Sequence, residues 1–389
     1  MEKRYSVRQD FTKNWVVISI LIFGLMPDLM HGYALYIIVV LFQILFQTKY
    51  DNGSIYTLLF SFVYISGYLL QGFYATPSEW IIMSIFPIII YQSGKYLLRR
   101  FNDSSSIFVL LTLLMISMCL PAIYFNLKDY FQSGQLINVL RKVEISENMR
   151  SATGYGMMVA ISCGLSGIIL TPASSKLDKK FKLLILSFSL LSLFCTIHLI
   201  NRTGLVIALA SFITAILMPP YSQKRLWFTI LMLLVIAAII FYYLRQSSIL
   251  EEGMAGYINR DIDSGTFGGR SERWGTAFNQ MFITPFGTSD FHFNGSKSYA
   301  HNMWLDAGLR GGILAFAFLG MLGIRALKSI IRILNKSLFN GFERSVIILY
   351  GQAIILQALM EPVIEGVPQL FYVFVLYTSL ISNYKYKLS

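Results

Sequence analysis

Long stretches of this chain contain apolar side chains and no formal charge. Residues 107–125 and 226–244 are two such stretches of 19 residues each. A helix of this length, rising 1.5 Å per residue, spans most of the ~30 Å hydrocarbon core of a bilayer. Only 13% of the residues are charged and the mean hydropathy is +0.60, which lies outside the range of soluble domains. The sequence therefore predicts an all-α polytopic membrane protein.

The apolar runs indicate about twelve transmembrane helices within a single integral membrane domain, residues 1–389. The predicted spans are 15–30, 33–46, 55–73, 80–98, 107–125, 153–170, 183–200, 205–218, 226–244, 303–322, 346–359 and 370–381. The first run lacks a small-residue cleavage site, so we interpret it as a span and not as a signal peptide. Cys119, Cys163 and Cys195 all lie in apolar runs, which predicts small buried hydrophobes and no disulfide framework.

The basic residues follow a topological pattern. When the N-terminus is placed in the cytoplasm, 21 of the 32 Lys and Arg residues fall on the inner side of the spans. This is the positive-inside pattern, and it puts both termini in the cytoplasm. The net charge of +12 is thereby explained without nucleic acid as a partner. The large loop between the ninth and tenth spans, residues 245–300, then lies on the outer side.

This outer loop contains a segment with a helical apolar period at 271–283. Ser271 is a candidate N-cap, and Pro285 and Gly287 end the pattern. Free backbone N–H groups at a helix start, beside Arg270 and Arg273, would suit a pyrophosphate. The alternative is an interfacial amphipathic helix whose arginines contact lipid phosphates.

Two further outer-side residues suggest chemistry. Arg202 stands in a short turn between two apolar runs, where an arginine is costly unless paired, hydrated, functional or snorkelling to headgroups. His301 begins the tenth span and could accept a proton from a sugar hydroxyl, although a boundary histidine is often only an interface residue. We interpret His31 and His198 as such interface residues, and His292 fits either description.

Other charged residues collect at the same side. Arg150 precedes the sixth span, Arg310 lies about two turns into the tenth, and Glu361 and Glu365 lie in the last outer turn. Such charges often pair with one another, and this structural interpretation is favoured for Arg310. The sequence contains no metal-ligand spacing, P-loop or H-E-x-x-H motif, which predicts chemistry without a metal or cofactor.

Several of these residues form elements that occur in a characteristic order. They are Arg150–Gly156, Arg202-Thr203-Gly204, Gly269-Arg270-x-x-Arg273-Trp274, Pro285-x-Gly287 and His301-Asn302-x-x-Leu305. Together with the twelve-span layout, they resemble the O-antigen polymerase and O-antigen ligase superfamily. One departure is the stretch Asp306-Ala307-Gly308-x-x-Gly311, which stands where that family has E-x-G-x-x-G.

The resemblance implies a GT-C-like, metal-independent, inverting glycosyltransferase in the bacterial inner membrane. Its donor would be a glycan on undecaprenyl pyrophosphate at the periplasmic face, with membrane lipids and a chain-length regulator protein as further partners. Arg202, Arg270 and Arg273 would hold the pyrophosphate, and His301 would activate the acceptor hydroxyl. The remaining substrate-binding set would be Arg150, Trp274, Asn302 and Glu361.

Other functions remain open on the sequence. The resemblance alone favours a polymerase over a ligase, which would pass the same glycan to lipid A-core, and no residue distinguishes the two. A transporter of lipid-linked oligosaccharide should show two similar halves and helices interrupted near mid-bilayer. A non-catalytic assembly subunit is the third alternative.

The predicted topology can be tested at Ser296. A cysteine placed there should react with a membrane-impermeant thiol reagent added from the periplasmic side, because the loop 245–300 is predicted to lie outside. The three native cysteines lie in apolar runs and provide the background control. Labelling only after the cells are permeabilised would invert the topology.

Overall fold

The structure is a computed structural model that describes most of the chain. The described residues are 2–25, 41, 44–45, 47–71, 83–103, 105–135, 142–145, 148–171, 177–199, 201–218, 270–335 and 341–384. The predicted ninth span, most of the second, His31 and residues 245–269 of the outer loop lie outside them.

Helices dominate the described residues. Those before the outer loop are α1 Glu2–Lys13, α2 Trp15–Gly24, α3 Asn52–Leu70, α4 Phe86–Arg100, α5 Ser105–Ser133, α6 Ala152–Ser162, α7 Ser166–Leu170, α8 Lys179–His198 and α9 Arg202–Leu217. Those after it are α10 Arg270–Ile283, α11 Met303–Asn335, α12 Gly341–Met360, α13 Val363–Gly366 and α14 Pro368–Asn383. A 3-10 turn, Cys163–Leu165, joins α6 to α7.

Two short antiparallel strand pairs, which the sequence pattern did not predict, lie beside the helices. Strands β1 Lys142–Ile145 and β2 Asn148–Ser151 form one pair, and β3 His292–Phe293 and β4 Ser296–Lys297 form the other. Both occur in predicted outer loops. The first pair ends where α6 begins.

Five of the described helices are long and apolar enough to cross a membrane. They are α3, α5, α8, α11 and α12. All five coincide with predicted spans, so the membrane-embedded, mainly α-helical class agrees with the sequence. Three shorter apolar helical segments, Trp15–Gly24, Gly154–Leu170 and Arg202–Leu217, also coincide with predicted spans.

Helix α11 differs from the predicted span 303–322. It continues to Asn335, and it is interrupted at Gly312, whose φ of 81° and ψ of 178° are not helical. This backbone region is accessible essentially to glycine alone. The interruption separates a short outer segment, 303–311, from a long segment, 313–335. At 1.5 Å per residue the long segment alone covers about 34 Å, enough to cross the bilayer core.

The loop after α10 fills this interruption. The amide of Thr288 donates to the Leu309 carbonyl at 2.6 Å, and the amide of Ile313 donates to the Pro285 carbonyl at 3.0 Å. The side chain of Gln71 donates to the Arg310 carbonyl at 2.6 Å. Backbone groups freed by a broken helix must find partners inside a membrane protein, and these contacts supply them.

A second polar cluster ties α3, α4 and α11 together at Asp51. Lys95 lies 3.2 Å and Arg325 2.5 Å from its carboxylate, and Tyr91 donates to it at 3.2 Å. Burial raises the pKa of Asp51, but the hydrogen bond from Ser54, followed by the charges of Lys95 and Arg325, brings this pKa below its ordinary value. The carboxylate therefore remains charged beside its two cations.

The polar contacts group at two ends of the helices. Ser105, at the start of α5, contacts Glu343 on α12, whereas Asp129, nearly seven turns later, contacts His198. The 24 residues between these contacts on α5 correspond to about 36 Å of helix. The Asp51 cluster joins residues of the predicted inner side, and His198 belongs to the outer side. Which end faces the cytoplasm stays a prediction.

Gly312 offers a test of the interrupted helix. A Cβ at this position would lie 2.2 Å from the Pro285 carbonyl, in addition to the backbone strain. Gly312→Ala should therefore lower the free energy of unfolding in detergent by about 3 kcal/mol. Gly320→Ala on the same helix is the matched control, because a Cβ there meets nothing within 4 Å. Equal effects of the two substitutions would contradict the interruption.

Candidate functional site

The carboxylate of Glu361 is the point where four separate segments meet. Glu361 follows the last turn of α12 and is largely buried. Thr203 donates a hydrogen bond of 2.5 Å to its Oε1, and a guanidinium nitrogen of Arg270 lies 3.9 Å from the same oxygen. Nδ1 of His301 lies 3.8 Å from Oε2. The predicted residues Arg270, His301 and Glu361 therefore lie in one cluster.

The contact with Thr203 connects this cluster to the Arg202 turn. Asn201 caps α9 by accepting a hydrogen bond of 2.9 Å from the Gly204 amide, so α9 begins at Arg202. Arg202 itself is exposed at this helix start. Thr203, buried on the same first turn, makes the shortest contact with Glu361. A distance of 2.5 Å is typical of a hydroxyl bound to an ionised carboxylate.

Two glycines of the sequence elements allow the close approach around this turn. A Cβ on Gly156 would lie 2.1 Å from the side-chain nitrogen of Asn201, and one on Gly204 would lie 2.8 Å from the side chain of Thr196. The start of α6 therefore packs directly against the α8–α9 turn. The upstream element that ends at Gly156 thus helps to define the position of Arg202.

Helix α10 brings Arg270 to the cluster. Its buried residues Ala277 and Met281 pack with Leu305 and Leu309 of the short outer segment of α11. A Cβ on Gly308 would lie 2.0 Å from the Met281 sulfur, so a larger residue there would displace the Met281 side chain. The helix begins at Arg270 in the described residues, which places Ser271 inside the first turn. The prediction of Ser271 as N-cap was therefore wrong.

The apolar face predicted for α10 is divided in the structure. Met281 is buried and Trp274 is half-buried against the protein, whereas Phe278 and Phe282 are exposed. Because part of the face is anchored on α11, the helix has a fixed position beside the site. The exposed aromatic residues are suited to contact with the membrane interface. Such contact is what the alternative interpretation, an interfacial amphipathic helix, predicts.

The loop before α11 holds His301 in a strained conformation. His301 has a φ of 55°, which is uncommon for a residue other than glycine. The amides on either side of it, those of Ala300 and Asn302, both donate to the carboxylate of Asp306, at 2.6 and 3.0 Å. A strained residue held by several hydrogen bonds often marks a functional position. Asp306 therefore positions His301 through the backbone.

Asn302 and Trp274 support the same loop. The side-chain oxygen of Asn302 accepts hydrogen bonds from the amides of Trp304 and Leu305 and so caps α11. The indole of Trp274 donates to the Ala300 carbonyl at 3.0 Å. The sequence analysis placed both residues in the substrate-binding set. In the structure, these side-chain atoms are engaged within the protein.

For the other predicted arginines the structure describes contacts with residues other than Glu361. Arg273 stacks over the Phe293 ring at 4.9 Å, and Arg310 lies over the Tyr299 ring at 5.7 Å. Arg150 lies on β2, paired in register with Val143, just before α6. Tyr299 and Thr203 were not selected from the sequence as site residues. Their importance depends on contacts that only the fold establishes.

The cluster combines a nearly buried carboxylate with partly accessible groups. The side chains of Arg270 and His301 are 24% and 28% exposed, whereas that of Glu361 is 8% exposed. Within the described residues, Nδ1 of His301 has no hydrogen-bond partner, and Glu361 at 3.8 Å is its ion-pair neighbour. The imidazole can therefore approach Glu361 through Nδ1 while Nε2 serves a second group. The arginines make the surroundings suitable for an anion.

Comparison with known proteins adds no family assignment. No protein-family model matches the chain, and no curated protein matches it significantly.

The hydrogen bond between Thr203 and Glu361 can be tested through stability. Thr203→Val should reduce the free energy of unfolding in detergent by about 1.5–3 kcal/mol, because a buried charged acceptor loses its donor. Thr214→Val on the same helix is the control, since Thr214 donates to the neutral side chain of Gln352 at 2.8 Å. Its loss should cost only about 0.5–1.5 kcal/mol. A smaller effect at Thr203 than at Thr214 would contradict a charged acceptor at Glu361.

Proposed function

We propose that the protein is an O-antigen polymerase, a membrane glycosyltransferase that joins glycan repeat units carried on undecaprenyl pyrophosphate. In this proposal the reaction occurs at the periplasmic face of the bacterial inner membrane and inverts the anomeric centre without a metal. The supporting observation is the convergence on Glu361 of Arg270, His301 and the turn that carries Arg202. These are the residues through which the sequence resembles the O-antigen polymerase and ligase superfamily.

The proposed donor is an anion at the membrane surface. Arg270 lies at the start of a helix fixed on α11, and Arg202 lies at the start of α9. Guanidinium groups bind phosphate oxygens through two parallel hydrogen bonds, and helix starts add backbone dipoles. The Arg270–Glu361 distance of 3.9 Å is that of a loose ion pair. Arg270 can therefore exchange this contact for a pyrophosphate oxygen.

The proposed reaction is a single displacement. The acceptor hydroxyl oxygen forms a bond to the anomeric carbon as the bond between that carbon and the pyrophosphate oxygen breaks. Nε2 of His301 takes the hydroxyl proton, and the electron pair of the broken bond leaves with undecaprenyl pyrophosphate. Arg270 and Arg202 stabilise the charge on this leaving group.

Glu361 has a supporting role in this reaction. Its carboxylate lies 3.8 Å from Nδ1 of His301, so it favours the imidazolium that forms when Nε2 takes a proton. The hydrogen bond from Thr203 fixes the carboxylate in this position. Catalytic contacts of this kind are often longer before substrate binds and become shorter in the complex.

Polymerase and ligase differ in the acceptor, and a glycan profile separates them. In bacteria that lack the protein, lipopolysaccharide core with a single repeat unit should accumulate, because polymerisation fails while ligation continues. Core without any repeat unit, together with lipid-linked polymer, would instead identify a ligase. A normal ladder would contradict both enzymes, whereas core without repeat units and without lipid-linked polymer would favour a transporter.

Complementation with variants tests the residues. His301→Ala, Arg270→Ala and Arg202→Ala should each fail to restore the ladder although the protein reaches the membrane at its normal level. Loss of one general base or one charge-stabilising group costs about 10²–10⁴ in rate. Arg270→Lys should also be impaired, since an ammonium group cannot offer a two-pronged contact.

Two residues provide matched controls for these variants. His292 is exposed in β3, and Arg332 is exposed near the opposite end of α11. His292→Ala and Arg332→Ala should restore a normal ladder. Full activity of both Arg270→Ala and Arg202→Ala would eliminate the pyrophosphate contacts from the proposal, and full activity of His301→Ala would require another base.

A further inference from the structure

A second histidine lies at the same end of the molecule, completely buried. Nε2 of His198 lies 3.0 Å from Oδ2 of Asp129, which joins the end of α8 to the last turns of α5. The His198 ring stacks on Phe194 at 6.0 Å with an interplanar angle of 8°, and its edge meets the Tyr130 ring at 6.3 Å. The interpretation of His198 as an ordinary interface residue was therefore wrong.

Backbone hydrogen bonds connect the end of α8, which contains His198, to the turn that contains Arg202. Leu199, the next residue, donates its amide to the Cys195 carbonyl, and the Asn201 amide donates to the Thr196 carbonyl at 2.8 Å. Asn201 then caps α9 through Gly204. The turn is thus hydrogen-bonded to the last turn of α8 on one side and to the first turn of α9 on the other. A displacement of the end of α8 must move this turn.

We propose that His198 and Asp129 are a positioning pair that sets the location of Arg202 and Thr203 relative to Glu361. The pair fixes the end of α8 against α5, the hydrogen-bonded turn transmits this position, and Thr203 reaches Glu361 at 2.5 Å. The consequence for glycan transfer rests on the proposed function, whereas the placement of the turn rests on geometry alone. Neither residue contacts the reacting atoms in this scheme.

A disulfide can report the position of the turn without any activity measurement. A Cβ on Gly156 would lie 3.4 Å from the Asn201 Cβ, close to the separation found in disulfides. In a Gly156→Cys/Asn201→Cys protein, mild oxidation in membranes should form this bond efficiently. The substitution removes the Asn201 cap on Gly204 but keeps the amide bond to Thr196, so the yield reports the position of the turn relative to the end of α8. The native cysteines Cys119, Cys163 and Cys195 are buried and supply a constant background.

Three substitutions in this reporter protein separate the contributions of His198. His198→Phe retains an aromatic ring but loses the bond to Asp129, so the disulfide yield should fall several-fold. His198→Gln keeps a side-chain donor and should retain most of the yield. His292→Phe is the matched control, because the His292–Asp290 contact is exposed and distant in sequence from the turn. If His198→Phe proves unstable, Asp129→Ala removes the same bond from its more accessible side.

Transfer activity provides the second measurement, made in the chain without the reporter cysteines. His198→Phe should reduce kcat/KM by about 10- to 100-fold, the usual consequence of a misplaced binding group. In the Arg202→Ala background the same substitution should have a clearly smaller effect, since one of the two groups that it misplaces is already absent. A general loss of folding would give additive effects instead.

The two measurements can fail independently. An unchanged disulfide yield in His198→Phe and Asp129→Ala would overturn the positioning pair, whatever the activity. Additive effects of His198→Phe and Arg202→Ala would also overturn it. The disulfide yield could fall in His198→Phe while Arg202→Ala retains full glycan transfer. In that case His198 and Asp129 position the turn, but the proposed role of Arg202 in transfer is wrong.

Discussion

The end of the protein that carries the candidate site depends on one carboxylate. Removing Glu361 from water costs several kcal/mol unless its oxygens find partners, and the chain supplies Thr203, Arg270 and His301 from three different segments. Because Glu361 needs these partners, the contacts that stabilise its carboxylate also bring the residues of the candidate site together. A buried charge in a membrane protein is costly, and residues of this kind are the ones to test for function.

The second constraint is the backbone of α11. A helix interrupted at Gly312 exposes carbonyl and amide groups that cannot remain unpaired near a bilayer. Gln71, Pro285 and Thr288 take up groups on both sides of the interruption. These contacts join α10, the short segment of α11 and the His301 loop into one packed unit.

The sequence predicted the parts of this fold that follow from local chemistry. Apolar runs marked the spans because every lipid-facing residue must be apolar, and the residues at span ends identified Arg270, His301 and Glu361 as candidates. The contact of Thr203 with Glu361 joins positions 158 residues apart, so no local pattern could reveal it. Likewise, Gly311-Gly312 reads as a weak helix position, and only the surrounding loop shows that it is an interruption. His198 was misjudged because its partner Asp129 lies 69 residues away.

The interrupted helix also bears on the choice between an enzyme and a transporter. Transporters use the free ends of broken helices near mid-bilayer to bind their substrates. Here the interruption at Gly312 lies nine residues, or about 13 Å of helix, after Met303. The carbonyls of Leu309 and Arg310 and the amide of Ile313 are taken by the protein itself. Several charged groups that remain accessible, among them Arg202, Arg270 and His301, lie at or next to helix starts. In the described residues, the broken ends at Gly312 are therefore paired within the protein, unlike the free helix ends that transporters use to bind a substrate.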